Sequence, residues 1–494
     1  MSSAPPTTST SESGHLSPAE VRHALLTAAI AWGIFGSAWM AMTGGAPYVT
    51  FVRSRLHAST FTYSLLSALP FLTVLLQLPG SYLVEKTRRR RLLFLLPASA
   101  GRLVWLLVAA LPWVIPSRHP GVRIGLFMAL MVIGSSLGSF SSPAWFSWFA
   151  EMVPESIRGR YLSKRAALST FTVAWVGLLV PWIIDRDSSF RTFSILFSVA
   201  SLLGLADVSL FWRVREPRMP AHEGPAWGML SPLFTPLRDR PFRGYLLYAF
   251  CESFMFGIAG PFFMLMALEF LDLGNFRASL WVSTVPMVFS MVTLPAWGGL
   301  CDRFGAKSLV MLGTITSIIY PLAYLAAAPG HYLPFLITAA VIGGSFGAAV
   351  SVGDMAMLYS LTPQLGRSAY IACVMLASSL GWFFAPILSG ALAQALKPLS
   401  WHVGGFAFGN LHVLMAISLV ARLLHAAFII PHLPDPQARP TRELLRHLIW
   451  SPVRQLGAGF SRLGLEARTV SFVHFAAPAE EADGAAAETE ATRE

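Results

Sequence analysis

The fold of this chain is decided by residues 133–161, IGSSLGSFSSPAWFSWFAEMVPESIRGRY, because a diverged copy, IGGSFGAAVSVGDMAMLYSLTPQLGRSAY, occupies residues 342–370. The residues that are identical without a gap, each at a shift of 209 positions, include seven pairs that mark the repeat. They are Ile133 and Ile342, Gly134 and Gly343, Ser136 and Ser345, Gly138 and Gly347, Pro154 and Pro363, Arg158 and Arg367, and Tyr161 and Tyr370. Internal repeats are typical of secondary transporters, whose substrate site lies between the copies. The repeat therefore predicts two copies of one membrane unit.

The composition is that of a protein that lies mostly in lipid. Hydrophobic residues make up 54% of the chain and charged residues 12%, whereas soluble domains contain roughly 25% charged residues. A helix needs about 20 mainly apolar residues to cross a bilayer, and twelve such stretches can be delimited. They are residues 24–48, 60–83, 92–115, 124–150, 166–184, 190–212, 244–268, 278–300, 308–328, 333–360, 369–396 and 411–431. We therefore predict an all-α membrane protein with twelve transmembrane helices in two pseudo-symmetric six-helix bundles.

The distribution of Lys and Arg predicts the orientation, since these residues are retained on the cytoplasmic side of a membrane. With the N-terminus inside, the cytoplasmic segments hold 26 Lys and Arg residues and the external loops hold 8. We predict a multi-pass protein of the plasma (inner) membrane with both termini in the cytoplasm. The net charge of +11 then reflects topology. A nucleic-acid partner would require basic residues clustered on one soluble domain, so none is predicted.

The polar segments divide the chain into domains. The first residues are rich in Ser, Thr and Pro and lack the apolar core of a signal peptide. A stretch after the last span carries Leu and Arg at helical spacing, which favours a membrane-surface segment over a partner-binding helix. The predicted divisions are a disordered cytoplasmic N-terminus (1–22), the N-terminal bundle (23–212), a cytoplasmic linker (213–243), the C-terminal bundle (244–432), an amphipathic interfacial segment (433–475) and a disordered tail (476–494).

The loop after the eighth span carries the sharpest local motif. The sequence GGLCDRFGAK places Gly298, Asp302, Arg303, Gly305 and Lys307 in a tight turn. It resembles the signature loop of the major facilitator superfamily, and this resemblance implies the superfamily fold for residues 24–431. We expect Gly298 to let a neighbouring helix approach closely and Gly305 to adopt a positive φ. Asp302 is expected to accept hydrogen bonds from a helix N-terminus.

The first half carries a diverged copy of this loop after the second span. Glu85 and Lys86 stand where the family has an acid and a base, but Arg88 replaces a glycine. The arginines at 88–91 are predicted to anchor the topology by facing anionic lipid rather than to bind substrate.

A second family-like element follows the fourth and tenth spans and contains Arg158 and Arg367. In the superfamily such arginines meet the carboxylates of the signature loops and latch the cytoplasmic side in the outward-facing state. The resemblance therefore implies that Glu85 engages the start of span eleven near Arg367. It likewise implies that Asp302 engages the start of span five near Arg158.

Five ionisable side chains fall inside the predicted spans, where each costs roughly 2.5–3.5 kcal/mol to insert. They are Arg102, Asp207, Glu252, Asp354 and Arg422. Arg102 and Asp207 lie on supporting helices of the same half, and we predict that they form a structural ion pair. Arg422 has no evident acidic partner and is assigned no function, because its long side chain could reach the interface.

Glu252 and Asp354 are the leading functional candidates, because the resemblance places spans seven and ten on the central cavity. Tyr248 lies one turn from Glu252 on the same face. Burial disfavours the charged form of a carboxylate, so either group is a candidate for exchanging protons and coupling transport to a proton gradient. The alternative for Asp354 is a solvated or capping role near the cytoplasmic edge.

The rest of the predicted cavity is aromatic and weakly polar. Trp32 and Trp39 lie on span one, and Ser142 and Trp145 lie on span four. This lining suits an amphipathic organic solute or a sugar that stacks on rings. Aromatic residues at span ends can instead form interfacial belts.

The predicted function is secondary active transport of a small organic solute by alternating access, coupled to protons. The alternatives are an uncoupled uniporter and a superfamily-fold sensor, assembly factor or scaffold that does not transport. No P-loop, zinc-type histidine cluster or nucleophile elbow occurs in the sequence, so we predict no enzyme activity, no cofactor and no metal. The predicted partners are a small-molecule substrate, the lipid bilayer and protons, and the predicted state is a monomer.

Overall fold

The computed structural model describes residues 17–217, 236–362, 367–398, 401–403, 406–435 and 438–450. Within these ranges twelve helices are long and apolar enough to cross a membrane, which confirms the predicted number of spans. They are α1 (Pro18–Arg55), α2 (Thr60–Thr87), α3 (Arg90–Val114), α4 (Pro120–Met152), α5 (Arg158–Arg186), α6 (Phe190–Arg213), α7 (Arg240–Glu269), α8 (Asn275–Phe304), α9 (Ala306–Ala326), α10 (Leu333–Leu361), α11 (Arg367–Ala395) and α12 (Asn410–His432).

Three short elements complete the described chain. Two strands pair antiparallel between α11 and α12, namely β1 (Trp401–Val403) and β2 (Phe406–Phe408), and the sequence analysis did not predict them. A further helix, α13 (Thr441–Trp450), begins the segment predicted to be amphipathic. The N-terminal disorder predicted for 1–22 is wrong for residues 18–22, because α1 begins at Pro18 with Ser17 as its N-cap. Residues 1–16, the middle of the linker at 218–235, the rest of the amphipathic segment at 451–475 and the predicted disordered tail at 476–494 lie outside the described residues.

The hydrophobic cores show how the two bundles meet. We call the end of the molecule where α1 begins and α12 ends the termini face, and the other end the opposite face. Towards the opposite face one core cluster joins both halves and includes Phe51, Phe197, Phe262 and Leu265. Towards the termini face the cores separate, and Trp148 belongs to a cluster of the first half alone. The bundles are therefore joined at the opposite face and parted at the termini face.

The repeated stretch occupies the same position in each half. Its first part lies on α4 and on α10, and these helices end at Met152 and Leu361, just before Pro154 and Pro363. Proline lacks the backbone N–H that helix continuation needs, and each stretch continues into the first turn of the next long helix. In the described residues, each copy thus runs from the end of one long helix of its bundle to the start of the next.

Both signature loops place a residue with a positive φ where the family motif has a glycine. Gly305 has φ +85°, which confirms the predicted positive φ. Arg88 ends α2 in the left-handed region at φ +53°, although an arginine replaces the glycine there. The expectation for Gly298 is wrong in this structure, because nothing lies within 4 Å of where its Cβ would stand.

The arginine run at 88–91 does not face lipid as a unit, which corrects the predicted role of Arg90. Its side chain is 0% exposed and donates to both carboxylate oxygens of Glu151, at 2.6 and 2.8 Å. Nε lies 3.6 Å from Oε1 of Glu216, and Nη2 donates to the carbonyl of Pro217 at 2.8 Å. Arg90 therefore ties the start of α3 to the ends of α4 and α6.

Equivalent carboxylates cap the third helix of each bundle. Glu216 accepts a hydrogen bond from the backbone N–H of Arg90 at 2.9 Å, and Asp435 accepts one from that of Lys307 at 2.9 Å. Each acid follows the last helix of its half and precedes a proline. A carboxylate at a helix N-terminus satisfies an unpaired donor and favours the helix dipole. The sequence analysis missed this pair, although the repeated acid-Pro dipeptide was a visible signal.

Replacing Arg90 by Ala is expected to lower the free energy of unfolding by roughly 2 to 4 kcal/mol, because a buried ion pair loses one partner. The measurement is thermal unfolding of the purified protein in detergent. Arg89→Ala is the matched control, since Arg89 is exposed, and should leave the midpoint nearly unchanged. Equal midpoints for the two variants would contradict the buried role of Arg90.

Candidate transport site and gates

Among the cavities between the described helices, two adjoin each other in the membrane-spanning part of the protein. The first has a volume of about 650 Å³ and is enclosed by α1, α2, α3 and α4 of the first half. Its lining includes the four predicted residues Trp32, Trp39, Ser142 and Trp145. Its walls carry both indole rings and hydroxyl groups. This cavity has the aromatic and weakly polar character that the sequence predicts.

The second cavity has a volume of about 500 Å³ and lies mainly in the second half. Its aromatic walls include Tyr63, Phe256, Phe263 and Tyr320, and its charged lining residue is Arg422. The sequence analysis did not single out this group of residues. They lie on four different helices, α2, α7, α9 and α12, so no local motif brings them together.

The two cavities meet at an interruption of α1. Gly44 is extended, with φ −123° and ψ −171°, and Gly45 has φ +56°. Gly44 lines the first cavity, Gly45 lines the second, and Tyr48 lines both. Interrupted helices with free backbone groups are a recurrent feature of transporter binding sites. The break in α1 at Gly44 therefore lies where the two candidate binding cavities adjoin.

The repeated glycines differ in what they contact. A Cβ on Gly343 would stand 2.3 Å from the Tyr320 ring, so this glycine permits helix packing. Gly138 and Gly347 are open, with nothing within 4 Å. Gly138 lines the first cavity and Gly347 the second. Gly138 and Gly347 thus occupy equivalent positions on the walls of the two cavities.

Arg102 and Asp207, the predicted structural pair, lie together at the wall of the first cavity, which Arg102 lines. Nη2 of Arg102 is 3.0 Å from Oδ2 of Asp207. The guanidinium carbon lies 3.5 Å from the centroid of the Trp39 ring, in a cation–π arrangement. The carboxylate thus neutralises the arginine, and the arginine supports an aromatic wall of the cavity.

Glu252, Asp354 and Tyr248 form one cluster inside the second half. The Tyr248 hydroxyl lies 2.9 Å from Oε1 of Glu252 and 2.5 Å from Oδ1 of Asp354. Tyr245 donates to the backbone carbonyl of Asp354 at 3.1 Å, and His425 packs on Tyr248 with ring centroids 5.3 Å apart. Neither carboxylate is among the residues that line the two cavities above. The cluster is therefore placed beside the second cavity, not on its wall.

The opposite face is closed by polar contacts between α5 and α8. Oδ1 of Asp185 accepts from the backbone N–H of Asn275 at 2.6 Å, and Oδ2 accepts from that of Phe276 at 2.8 Å. Arg53 and Glu269 add a two-point ion pair at 2.6 and 2.8 Å. The carboxylate of Asp185 thus caps the N-terminus of a helix in the other bundle. We call these contacts the outer latch.

Helices α2 and α11 close the opposite face on the other side of the pseudo-twofold axis. A Cβ on Gly390 would stand 1.8 Å from Oγ of Ser64, so only glycine permits this approach. Deeper in the protein Phe71 stacks on Trp382 with ring centroids 5.4 Å apart. Every hydrogen bond that the structure gives between described residues of the two bundles lies on the opposite-face side.

The predicted cytoplasmic gate residues lie on the parted termini face. Glu85, Lys86, Asp302 and Arg303 are exposed. Lys307 contacts its own half, where Nζ donates to the carbonyls of Pro431 and Leu433 at 2.7 and 3.0 Å.

The two arginines of the repeat begin the helices expected to receive the latch. Arg158 donates to the carbonyls of Val153 and Ala150, at 3.3 and 3.5 Å, where α4 ends. Arg367 begins α11, and its side chain lies outside the described residues. The latch was expected in the outward-facing state and stays a prediction.

This architecture matches a known family. The family model described as Major Facilitator Superfamily matches residues 24–280 and 271–470. The chain belongs to the major facilitator superfamily. No curated protein matches the sequence, so family membership rests on the family model, with the fold in agreement.

Solved superfamily structures share this fold at low sequence identity. The chain is similar to the nucleoside transporter NupG (13% identity, TM-score 0.58, covering 84% of this chain and 98% of that one). A D-xylose-proton symporter gives 18% identity and TM-score 0.62 over 85% of this chain and 98% of the other. A bacterial homologue of the human lysosomal transporter Spinster, in an inward-facing and occupied conformation, gives 14% identity and TM-score 0.59. The match covers 84% of this chain and 98% of the other. At these identities the likeness supports the fold alone.

Superfamily membership and the twelve apolar helices make the chain a multi-pass membrane transporter and not an enzyme. Among the residues that the structure describes, no group of His, Cys, Asp and Glu could hold a metal ion. Substrate recognition has therefore to be sought in the cavities and the carboxylate cluster.

Weakening the outer latch is expected to open the opposite face. Asp185→Asn removes the charge that caps α8, and the loss of charged hydrogen bonds of this kind costs about 1 to 3 kcal/mol. In a background with the native cysteines replaced, we expect a Ser142→Cys label site to become less accessible from the termini face and more accessible from the opposite face. The measurement is labelling by an impermeant maleimide in vesicles of both orientations.

Asp187→Asn is the matched control for this experiment. Asp187 lies two residues after Asp185, just past the end of α5, but its carboxylate accepts hydrogen bonds within its own half, from Ser189 and Thr192. Its replacement should leave the labelling pattern unchanged. If both variants label alike, Asp185 does not hold the bundles together.

Proposed function

We propose that this protein moves a small organic solute across the plasma (inner) membrane by alternating access and couples the movement to protons. The observation that carries the coupling is the cluster of two carboxyl groups around one tyrosine hydroxyl. The structure supports the access route, because the halves are joined at one face and parted at the other around two adjoining cavities.

The hydrogen-bond count of the cluster favours a bound proton. Tyr248 has one hydroxyl proton to donate, yet its oxygen contacts both Glu252 and Asp354. The second contact is satisfied when a carboxyl group carries a proton and donates it. Two carboxylates in one buried site also repel each other when both are charged. Taking up and releasing one proton is therefore the natural chemistry of this cluster.

The groups around the cluster allow its charge to change when it binds or releases a proton. The titratable groups that face it are Tyr245, Tyr248 and His425. Both ring nitrogens of His425 are buried without a hydrogen-bond partner among the described residues. No Lys or Arg of the described chain forms an ion pair with Glu252 or Asp354, so a proton is the group that neutralises them.

We assign the termini face to the cytoplasm, with both termini inside. The excess of Lys and Arg in the segments of that face supports this orientation. With it, the structure is the inward-facing form. The outward-facing form then requires the outer latch to separate and the gate residues on the termini face to meet. The proposed meetings are those of Glu85 with the start of α11 and of Asp302 with the start of α5.

Two other functions remain to be separated from this proposal. An uncoupled uniporter would use the same cavities without the carboxyl cluster. A sensor or scaffold with this fold would have no need to expose the cavities alternately. The labelling of Ser142→Cys from the two faces separates a scaffold from a transporter.

The coupling is tested with the purified protein in proteoliposomes. A thermal-shift screen of sugars, amino acids, nucleosides, organic acids and lipophilic drugs first identifies a ligand by its stabilisation of the folded state. With the membrane potential clamped, a gradient of about one pH unit supports about tenfold accumulation for one proton per solute. We expect Glu252→Gln and Asp354→Asn to abolish this accumulation and to keep downhill exchange.

Glu443→Gln, at an exposed position on α13, is the matched control and should accumulate solute as the natural protein does. If the pH gradient drives no accumulation in the natural protein, the coupling is absent and the uniporter is correct. Unchanged accumulation in both carboxylate variants would show that protons enter elsewhere.

A further inference from the structure

We propose that the second cavity binds an organic anion and that Arg422 holds its carboxylate group. This inference rests on the proposed transport function and names the substrate class. The sequence analysis assigned Arg422 no role and expected its side chain to reach the membrane surface. In the structure it is 3% exposed and lines the cavity instead.

The side chain of Arg422 is held in place by neutral partners. Nη1 donates to the carbonyl of Ser317 at 3.1 Å, and Nε donates to the hydroxyl of Ser418 at 3.4 Å. The guanidinium lies 4.6 Å from the centroid of the Phe256 ring. These contacts fix the orientation of the Arg422 guanidinium group. No described carboxylate lies within ion-pair distance, and Nη2 makes no hydrogen bond to a described residue.

The other arginines with fully buried side chains in the described chain have evident partners. Arg90 is paired with Glu151 and Glu216. Arg123 donates to two backbone carbonyls where α3 ends, at 2.8 and 3.1 Å, where a helix dipole favours positive charge. A buried charge is costly unless it is paired. Arg422 therefore lacks an anion, and the cavity on which it opens is where one can bind.

The cavity walls describe the rest of the ligand. Apart from Arg422, the lining is mostly aromatic and aliphatic, with Tyr63, Phe256, Phe263 and Tyr320 around a volume of about 500 Å³. Sites of this size suit small organic ligands. Guanidinium groups bind carboxylates in two-point geometry. An acid group on an apolar or aromatic body fits this combination, whereas a bare inorganic anion would leave the aromatic walls unused.

The anion site adjoins the carboxyl cluster of the proposed proton site. On α12, His425 lies three residues from Arg422, and on α7, Glu252 lies four residues from Phe256. Residues at these spacings are neighbours on a helix face, so the two sites are about one turn apart. One proton and one carboxylate would enter together as a neutral pair, which lowers the cost of carrying the anion through the membrane.

The test measures binding to the full-length purified protein by thermal shift and isothermal calorimetry. The probes are benzoate, phenylacetate and indole-3-acetate, each compared with its neutral carboxamide, together with phenyl phosphate and inorganic phosphate. We expect at least one acid to stabilise the protein and its amide to bind about tenfold more weakly or not at all. Arg422→Met should reduce the affinity for that acid about tenfold or more, and Arg422→Lys should do so less.

A pair of glycine variants supplies the positional control. Gly347→Leu fills space in the second cavity and leaves the guanidinium intact, whereas Gly138→Leu makes the equivalent change in the first cavity. Leucine is a better helix former than glycine, so both helices should persist. We expect acid binding to be lost in Gly347→Leu and kept in Gly138→Leu. This comparison holds even if Arg422→Met fails to fold.

The proposal is overturned if the amides bind as well as the acids, if no acid binds, or if Gly138→Leu alone removes binding. Tighter binding of phenyl phosphate than of every carboxylate would overturn the carboxylate assignment. These outcomes concern the ligand class only. Failure of the proposed transport function would appear separately, as cavities whose Ser142→Cys label site reacts from one face in every variant.

Discussion

An ionisable side chain within a bilayer must find a partner, and this constraint organises the protein. Arg102 meets Asp207 at the wall of the first cavity, and Arg90 meets two carboxylates at the termini face. Glu252 and Asp354 meet through a tyrosine. Each arrangement removes most of the cost of a buried charge. Two arrangements stand apart: two carboxyl groups that share one tyrosine hydroxyl, and one guanidinium that lines a cavity.

The two bundles are held together at the opposite face by a small number of polar contacts, so they can also separate there. The outer latch uses a carboxylate against backbone N–H groups of another helix and one ion pair near the surface. Such contacts are worth a few kcal/mol at most, which suits an interface that has to open. The aromatic core beneath the latch is continuous across both halves. On the termini face Glu85 and Asp302 of the signature loops are exposed, and we propose that they form the corresponding contacts in the outward-facing form.

Much of this could be predicted from residue patterns. Twelve apolar stretches, the repeat at 133 and 342 and the positive φ at Gly305 depend on local composition and spacing, and the structure confirms them. Other expectations failed because they assumed a neighbour. Gly298 was expected to meet a helix, but the parted termini face leaves it open. Arg90 was expected to face lipid with its neighbours, but a helix begins at that residue and turns its side chain inward.

The sequence by itself determined the number of spans, the duplication and the set of charges inside the membrane. Each follows from the free energy of moving one segment or one side chain between water and lipid. Only the tertiary structure decided that Tyr248 joins two carboxylates from different helices, that α1 breaks where two cavities meet, and that Arg422 opens on one of them. Those features depend on the approach of helices far apart in the chain, which no local periodicity encodes.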